Sequence, residues 1–277
     1  MADIVKSKDY IVSGKKIRAW TGGTGPALLL LHSAWGDAQM SWSSVWADLA
    51  RSFTVVAPDI PGHGASDSVA GPTLSASARL LVELLDTLGI DRAVVVGNSF
   101  GVALAIELAS LFPERISRFV AVNGTSVPAL PGLMKGIIRI PAIEKRFRGL
   151  IRNMSWSGKA FARGFPDPAA LPEGFMDRIP VFEDSHSRIG FDLVMNQAKP
   201  QSRPAVPAVV IWGTGDLLVP AGRLGSFRKW LGEHQFVPIA GAGHMPQVER
   251  PAEFAAALRR VVLPAAQSTK DQNVVSR

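Results

Sequence analysis

The sequence contains no cysteine. That excludes disulfides, thiolate metal ligation and a cysteine nucleophile; a cytoplasmic setting is the expectation, although a cysteine-free chain tolerates any redox compartment. Also missing is any run approaching the roughly 18 uninterrupted apolar residues that a membrane-spanning helix needs. The longest apolar runs, around Ala27 to Leu31 and Ala93 to Val96, have the length of buried strands instead. The opening MADIVKSKDY lacks the apolar core of a secretory signal, so none is expected. No repeat at solenoid period and no low-complexity linker interrupts the chain. No cluster of metal-ligating side chains stands out, and neither a metal nor an organic cofactor is expected.

What is present is a globular composition. Of 277 residues, 47% are hydrophobic and 19% charged, enough to bury a large core in one α/β domain with an insertion. The formal charge of +7 is concentrated. Between Lys135 and Arg163 stand eight basic residues and one acid, Glu144, while the rest of the chain is balanced. A solvated outer face is the first reading of this window. Long-range attraction of an acidic substrate is the second, and an amphipathic helix from Ile143 to Arg152 resting on anionic lipid is the third. Nucleic acid is not an expected partner, because no reading motif or aromatic platform accompanies the charge.

Along the chain, Tyr10 to Val12 and Ile17 to Thr21 read as a hairpin joined at Ser13-Gly14-Lys15. PALLLLH, FTVVAPDI, RAVVVGN, FVAVNG and PAVVIWG are continuous apolar runs of the kind that fill strands buried on both faces. Helical spacing separates them. It is seen in Leu80, Leu81, Leu84, Leu85 and Leu88 before Gly89, in Leu224, Phe227 and Leu231 before Gly232, and in Phe254, Leu258, Val261 and Val262 after Pro251. Alternating strands and helices predict right-handed crossovers and a mostly parallel sheet of eight strands with helices on both faces. The alternation stops once. Residues 126–203 show short helical patterns, among them Ile143, Phe147, Leu150 and Ile151 on one stripe, and read as an inserted helical cap. The core is then expected over 1–125 and 204–263, with 264–277 a disordered tail.

The chemistry centres on VVVGNSFGVALAIELA. Gly97, Ser99 and Gly101 form G-x-S-x-G where an apolar run meets a helical one. A strand-to-helix turn tight enough to expose a serine hydroxyl leaves no room for side chains beside it, which the glycines satisfy. The helix N-terminus also offers free N–H groups to a developing oxyanion. A serine nucleophile needs a base, and the base needs an acid to orient it. Asp216 follows the strand AVVIWG, and His244 lies in a Gly-rich loop before the last helix. Both fall at the carboxyl edge of the expected sheet, as Ser99 does. The other four histidines, His32, His63, His186 and His234, fall in other loops or in the insertion.

These motifs resemble the α/β-hydrolase superfamily from about Ile17 to Leu263, the insertion apart. The resemblance implies Ser99 as nucleophile, His244 as base and Asp216 as the acid that orients it. It implies an oxyanion hole from the N–H groups of Phe100 and of Ala34, the latter in His32-Ser33-Ala34-Trp35-Gly36, where Ser33 replaces the family's usual glycine. The loop Asp59-Ile60-Pro61-Gly62-His63-Gly64-Ala65-Ser66 resembles a structural turn of the family. Serine at position 99 sets the chain apart from the aspartate-nucleophile branches, the haloalkane dehalogenases and epoxide hydrolases. An acid in the alternative slot after the sixth strand would fall near Asn123, which is no carboxylate. Gly97-Asn98-Ser99-Phe100-Gly101 resembles the elbow of hydrolases that cleave carbon–carbon bonds in meta-cleavage products. Met245 stands where that branch places tryptophan.

The expected function is therefore a serine hydrolase cleaving an ester, lactone or related acyl bond of a small or medium apolar substrate. A carbon–carbon hydrolase of meta-cleavage type is the alternative, and so is a ligand receptor with slow or no turnover. Ser33, Trp35, Phe147, Phe161 and Met245 are the leading candidates for the substrate pocket; Phe100, Met134, Phe165, Met176 and Phe182 offer further apolar wall. A small-molecule substrate is the expected partner, with the chain as monomer or homodimer.

Overall fold

The computed structural model describes residues 4–69, 71–127, 130–155, 161–182, 191–192, 195–197 and 201–263. Eight strands form one sheet in the order β1-β2-β4-β3-β5-β6-β7-β8. They are β1 (Val5–Val12), β2 (Lys15–Gly22), β3 (Ala27–Leu31), β4 (Thr54–Pro58), β5 (Ala93–Asn98), β6 (Ile116–Val122), β7 (Ala208–Gly213) and β8 (Gln235–Ile239). The β1–β2 and β2–β4 pairings are antiparallel and all others parallel. The eight-stranded, mostly parallel sheet expected from the alternation is thus observed. The first hairpin is longer than its apolar residues indicated, because β1 is an edge strand with most of its side chains exposed.

The all-apolar strands are explained by what covers them. In β3, Leu29 and Leu31 enter one core layer while Leu28 and Leu30 enter the opposite one. Successive strand side chains point to opposite faces, so a strand covered on both sides needs apolar residues at every position. One layer is filled by α2 (Leu74–Thr87), α3 (Phe100–Leu111) and α6 (Ala221–Leu231), the other by α1 (Ala38–Leu49) and α8 (Pro251–Val262). Gly89 ends α2 in a left-handed conformation, with φ of 67° and the Ile90 N–H returning to Leu85 O.

Helix α1 was not predicted. Its sequence AQMSWSSVWADL carries three serines and a weak apolar rhythm, and Asp37 supplies the start signal by accepting from the Met40 N–H at 2.7 Å.

Between β6 and β7 the described residues contain no strand. They carry α4 (Gly132–Ile138), α5 (Pro141–Ser155) and short 3-10 turns. This inserted segment is tied back to the core: Arg178 pairs with Asp37 at 3.0 Å, and the Gln201 amide donates to Ala103 O at 2.7 Å. The tail 264–277 lies outside the described residues.

Close approach fixes the glycines flanking Ser99. A Cβ on Gly101 would sit 2.3 Å from Leu31 O, and one on Gly97 would sit 2.3 Å from Gly101 O. Both obstacles are backbone atoms, so no rotamer change relieves them. Gly101→Ala is expected to lower stability by about 1–3 kcal/mol through this overpacking, read as a lower urea midpoint with an unchanged slope.

Candidate active site

Strand β5 ends at Asn98, and Ser99 turns the chain into α3 with φ of 53° and ψ of −112°. Few non-glycine residues adopt positive φ, and a side chain held there is strained. The turn is fixed by the Ser99 N–H donating to Val122 O at 2.9 Å. Ser99 is half-buried and so stays within reach of solvent. The neighbouring Asn98 amide donates to Val122 O at 3.1 Å and to His244 O at 3.0 Å. It fastens the histidine loop to the elbow.

His244 lies between β8 and the short helix α7 (Pro246–Glu249); Asp216 follows β7. Both stand at the carboxyl ends of parallel strands, as Ser99 does. His244 Nδ1 and Asp216 Oδ2 are 3.0 Å apart, with side chains 3% and 0% exposed. Asp216 Oδ2 also accepts from Asn123 Nδ2 at 2.9 Å, and Oδ1 accepts from the N–H groups of Leu218 and Val219 at 2.8 and 3.2 Å. Burial pushes the Asp216 carboxyl up, but the His244 charge and hydrogen bond, the Asn123 amide and the Leu218 N–H together hold it below the ordinary carboxylate value. The stability this contributes is fully present above the unfolded value, about 3.9, and is lost as pH falls through the lowered folded value. An ionised carboxylate can only accept, so the neutral imidazole carries its proton on Nδ1 and leaves Nε2 free as a base. Among the described residues no hydrogen bond joins Ser99 to His244.

A carboxylate not singled out in the sequence holds the base loop from behind. Glu249 is 3% exposed, and its two oxygens accept from the Gly243 N–H at 2.8 Å and the Met245 N–H at 3.0 Å. These are the peptide groups on either side of His244. Burial raises the Glu249 carboxyl above its ordinary value, against the pull of those two amides and of the His244 charge. The signal was its place five residues after the histidine, ahead of a proline that starts a helix. That pattern alone does not say where the side chain turns.

The loop after β3 presents Ala34, half-buried, with its N–H unengaged among the described residues, as is that of Phe100. Its shape rests on His32 and Ser33. His32 Nε2 accepts from the Ile60 N–H at 2.8 Å, so Nδ1 bears the proton directed at Ser33 O, 2.6 Å away. Full burial pushes the His32 imidazole below its ordinary value and keeps it neutral. The Ser33 hydroxyl is committed to the loop itself. The residue is fully buried, and its hydroxyl closes a turn with the carbonyl and N–H of Trp35 at 3.0 and 3.1 Å. Asp59 accepts from the Ala38 and Ala65 N–H groups at 3.0 and 2.8 Å, and so ties the neighbouring glycine loop to α1.

Of the expected pocket residues, Trp35, Phe161 and Met245 share one apolar cluster with Phe165, Phe175 and Ile179. Trp35 stacks on Phe161 at 5.1 Å, and the Phe161 ring meets the His244 ring edge-on at 6.3 Å. Phe147 does not join them. It packs on Ile138, Phe191 and Met195 in a separate cluster within the insertion, because the opposite side of α5 faces outward. Met134 is also no wall, being 47% exposed.

Among the described residues no group of three or more His, Asp or Glu side chains is placed to hold a metal ion, and no helix is long and apolar enough to cross a membrane.

A parallel sheet with a strained serine at a strand–helix turn, and a buried His–Asp pair at the same edge, defines the hydrolase class of α/β protein. Residues 28–257 match the model of the alpha/beta hydrolase family, and the chain belongs to that family. It is 28% identical to a 2-hydroxymuconate semialdehyde hydrolase of Pseudomonas sp. (strain CF600), covering 90% of each chain. It is 27% identical to a pimeloyl-[acyl-carrier protein] methyl ester esterase of Nitrosomonas europaea, over 84% of this chain and 94% of the relative. A thermophilic esterase from Thermogutta terrifontis superposes with a TM-score of 0.71 at 21% identity, over 93% of this chain and 98% of that one.

Proposed function

We propose that the protein is a serine hydrolase that cleaves an ester, lactone or related acyl bond of a small or medium apolar substrate through an acyl-enzyme. The observation that carries this reading is the buried Asp216–His244 pair, hydrogen-bonded through Asn98 to the turn that presents Ser99. His244 Nε2 removes the Ser99 proton as the hydroxyl oxygen attacks the carbonyl carbon. The contact between them closes when substrate engages, since such bonds are often long in an empty site. The Phe100 and Ala34 N–H groups hold the oxyanion, and α3 adds the positive end of its dipole. The resulting imidazolium gives its proton to the leaving group. Water, activated by the same ring, then releases the acid. Residues 126–203 act as a cap, whose Phe161 supplies an apolar wall beside the base.

Carbon–carbon cleavage is the second reading. It is favoured by the Gly97-Asn98-Ser99 elbow and by 28% identity to a semialdehyde hydrolase, and opposed by Met245 beside the base. The decisive experiment is a panel of p-nitrophenyl esters, thioesters, lactones and vinylogous diketones, run beside fluorophosphonate labelling. A burst of p-nitrophenol with labelling of Ser99 supports the acyl-enzyme reading. Turnover confined to diketones moves the assignment to carbon–carbon cleavage. Tight binding with no turnover of any member would make the protein a receptor.

Glu249 acts as a positioning residue in this scheme. In Glu249→Gln one oxygen becomes an NH2 group aimed at a buried N–H, either Gly243 or Met245, and the base loop must shift. A displacement near 1 Å costs about a hundredfold in rate. The expected result is that fall in kcat with KM little changed; an unchanged kcat at equal thermal stability would remove Glu249 from the scheme.

A further inference from the structure

The surface of α4 and the start of α5 carries an apolar row that the hydrolytic reading does not use. Leu133 is 81% exposed, and Met134, Ile137, Ile140 and Ile143 are each between 38% and 50% exposed. The other exposed large hydrophobic side chains among the described residues, such as Ile11 and Leu217, stand far apart in the chain. Scattered apolar side chains on a surface are ordinary, whereas five within eleven consecutive residues along two successive helices are not. Leu133 and Ile137 are four residues apart and share one side of α4. The inward side of the same helices is already satisfied, since Ile138 and Phe147 pack on Phe191 and Met195. The outer row is therefore surplus to the fold.

Its charge is one-sided. Arg139, Lys145 and Arg146 are exposed and make no ion pair among the described residues. The acid of this stretch, Glu144, is engaged by Arg148, which also pairs with Asp192. Lys135 is turned inward to Gln197 O. A second copy of the chain would bring like charges together across a two-fold axis, which works against self-association. A bilayer interface accommodates both properties at once. Acyl chains receive the leucine and isoleucines, and headgroup phosphates receive the cations.

We infer that the α4–α5 surface docks the protein on anionic lipid, with Leu133, Ile137 and Ile140 entering the headgroup–acyl boundary and Arg139, Lys145 and Arg146 meeting lipid phosphate. The contact is peripheral and reversible, and it stands whether or not the hydrolytic reading does.

The test is co-sedimentation of the full chain with phosphatidylcholine–phosphatidylglycerol vesicles and with pure phosphatidylcholine vesicles. Binding is expected to the anionic vesicles, weakening as salt rises. Leu133→Ser/Ile137→Ser/Ile140→Ser should lower partitioning on the order of a hundredfold. Lys145→Ala/Arg146→Ala should lower it roughly 25-fold, about fivefold for each charge lost. Both variants change exposed side chains that are no part of the Ser99, His244 and Asp216 set, so the unfolding temperature should be unchanged. Absence of wild-type binding at low salt overturns the inference, as does equal binding by the triple serine variant. Concentration-dependent dimerisation that the triple variant abolishes would overturn it in favour of a second copy.

Discussion

Ser99→Ala is expected to lower kcat for any substrate by about 10⁶-fold, because removal of the nucleophile leaves only binding and the oxyanion donors. The variant should nevertheless fold. Ser99 makes no side-chain capping bond to α3, so its hydroxyl contributes nothing to the helix start. Alanine retains the Cβ, and the backbone at φ of 53° therefore carries the same strain as before. Equal unfolding temperatures with abolished fluorophosphonate labelling would satisfy both expectations. Residual turnover within tenfold of the native protein would remove Ser99 from the chemistry.

Asp216→Asn should cost about 10⁴-fold in kcat, through a tautomer rather than through a missing contact. The orientation of the new amide is forced. Its oxygen must occupy the Oδ1 position, where the Leu218 and Val219 N–H groups donate, so its NH2 group falls at the Oδ2 position. There it meets His244 Nδ1, which must become an acceptor, and the ring proton moves to Nε2. The base is then blocked. The same NH2 group also faces the NH2 of Asn123, which cannot turn away because Asn123 Oδ1 accepts from the Gly213 N–H at 2.8 Å. A loss of stability of about 1–3 kcal/mol should therefore accompany the kinetic loss. Thermal unfolding and kcat measured on the same preparation check both. Asp216→Asn with full activity would mean that the base is oriented by another group.

The strands β3, β5, β6 and β7 were legible because burial on both faces demands an unbroken apolar run, and few other structures produce one. Helices α2 and α8 were legible from a single apolar stripe. Helix α1 was not, since a buried serine, Ser41, stands beside Trp42 and three serines along the helix blur any apolar period. The elbow, the acid and the base could be placed because each follows a strand end, and strand ends share one edge of a parallel sheet. Contacts that depend on side-chain direction escaped. Phe147 lies on the expected helix but faces the interior of the insertion, and Ser33 spends its hydroxyl on its own turn. Glu249 escaped for the same reason, because local pattern does not reveal that a carboxylate folds back onto the two amides beside His244.

Besides the Phe161 ring, a backbone bond links the insertion to the base: the His244 N–H donates to Gly164 O at 2.7 Å. Any excursion that lifts residue 164 from the sheet edge strips this peptide group of its acceptor and frees the imidazole's own backbone. Under the proposed reading of 126–203 as a cap, amide hydrogen exchange at His244 would report how often residue 164 leaves this contact.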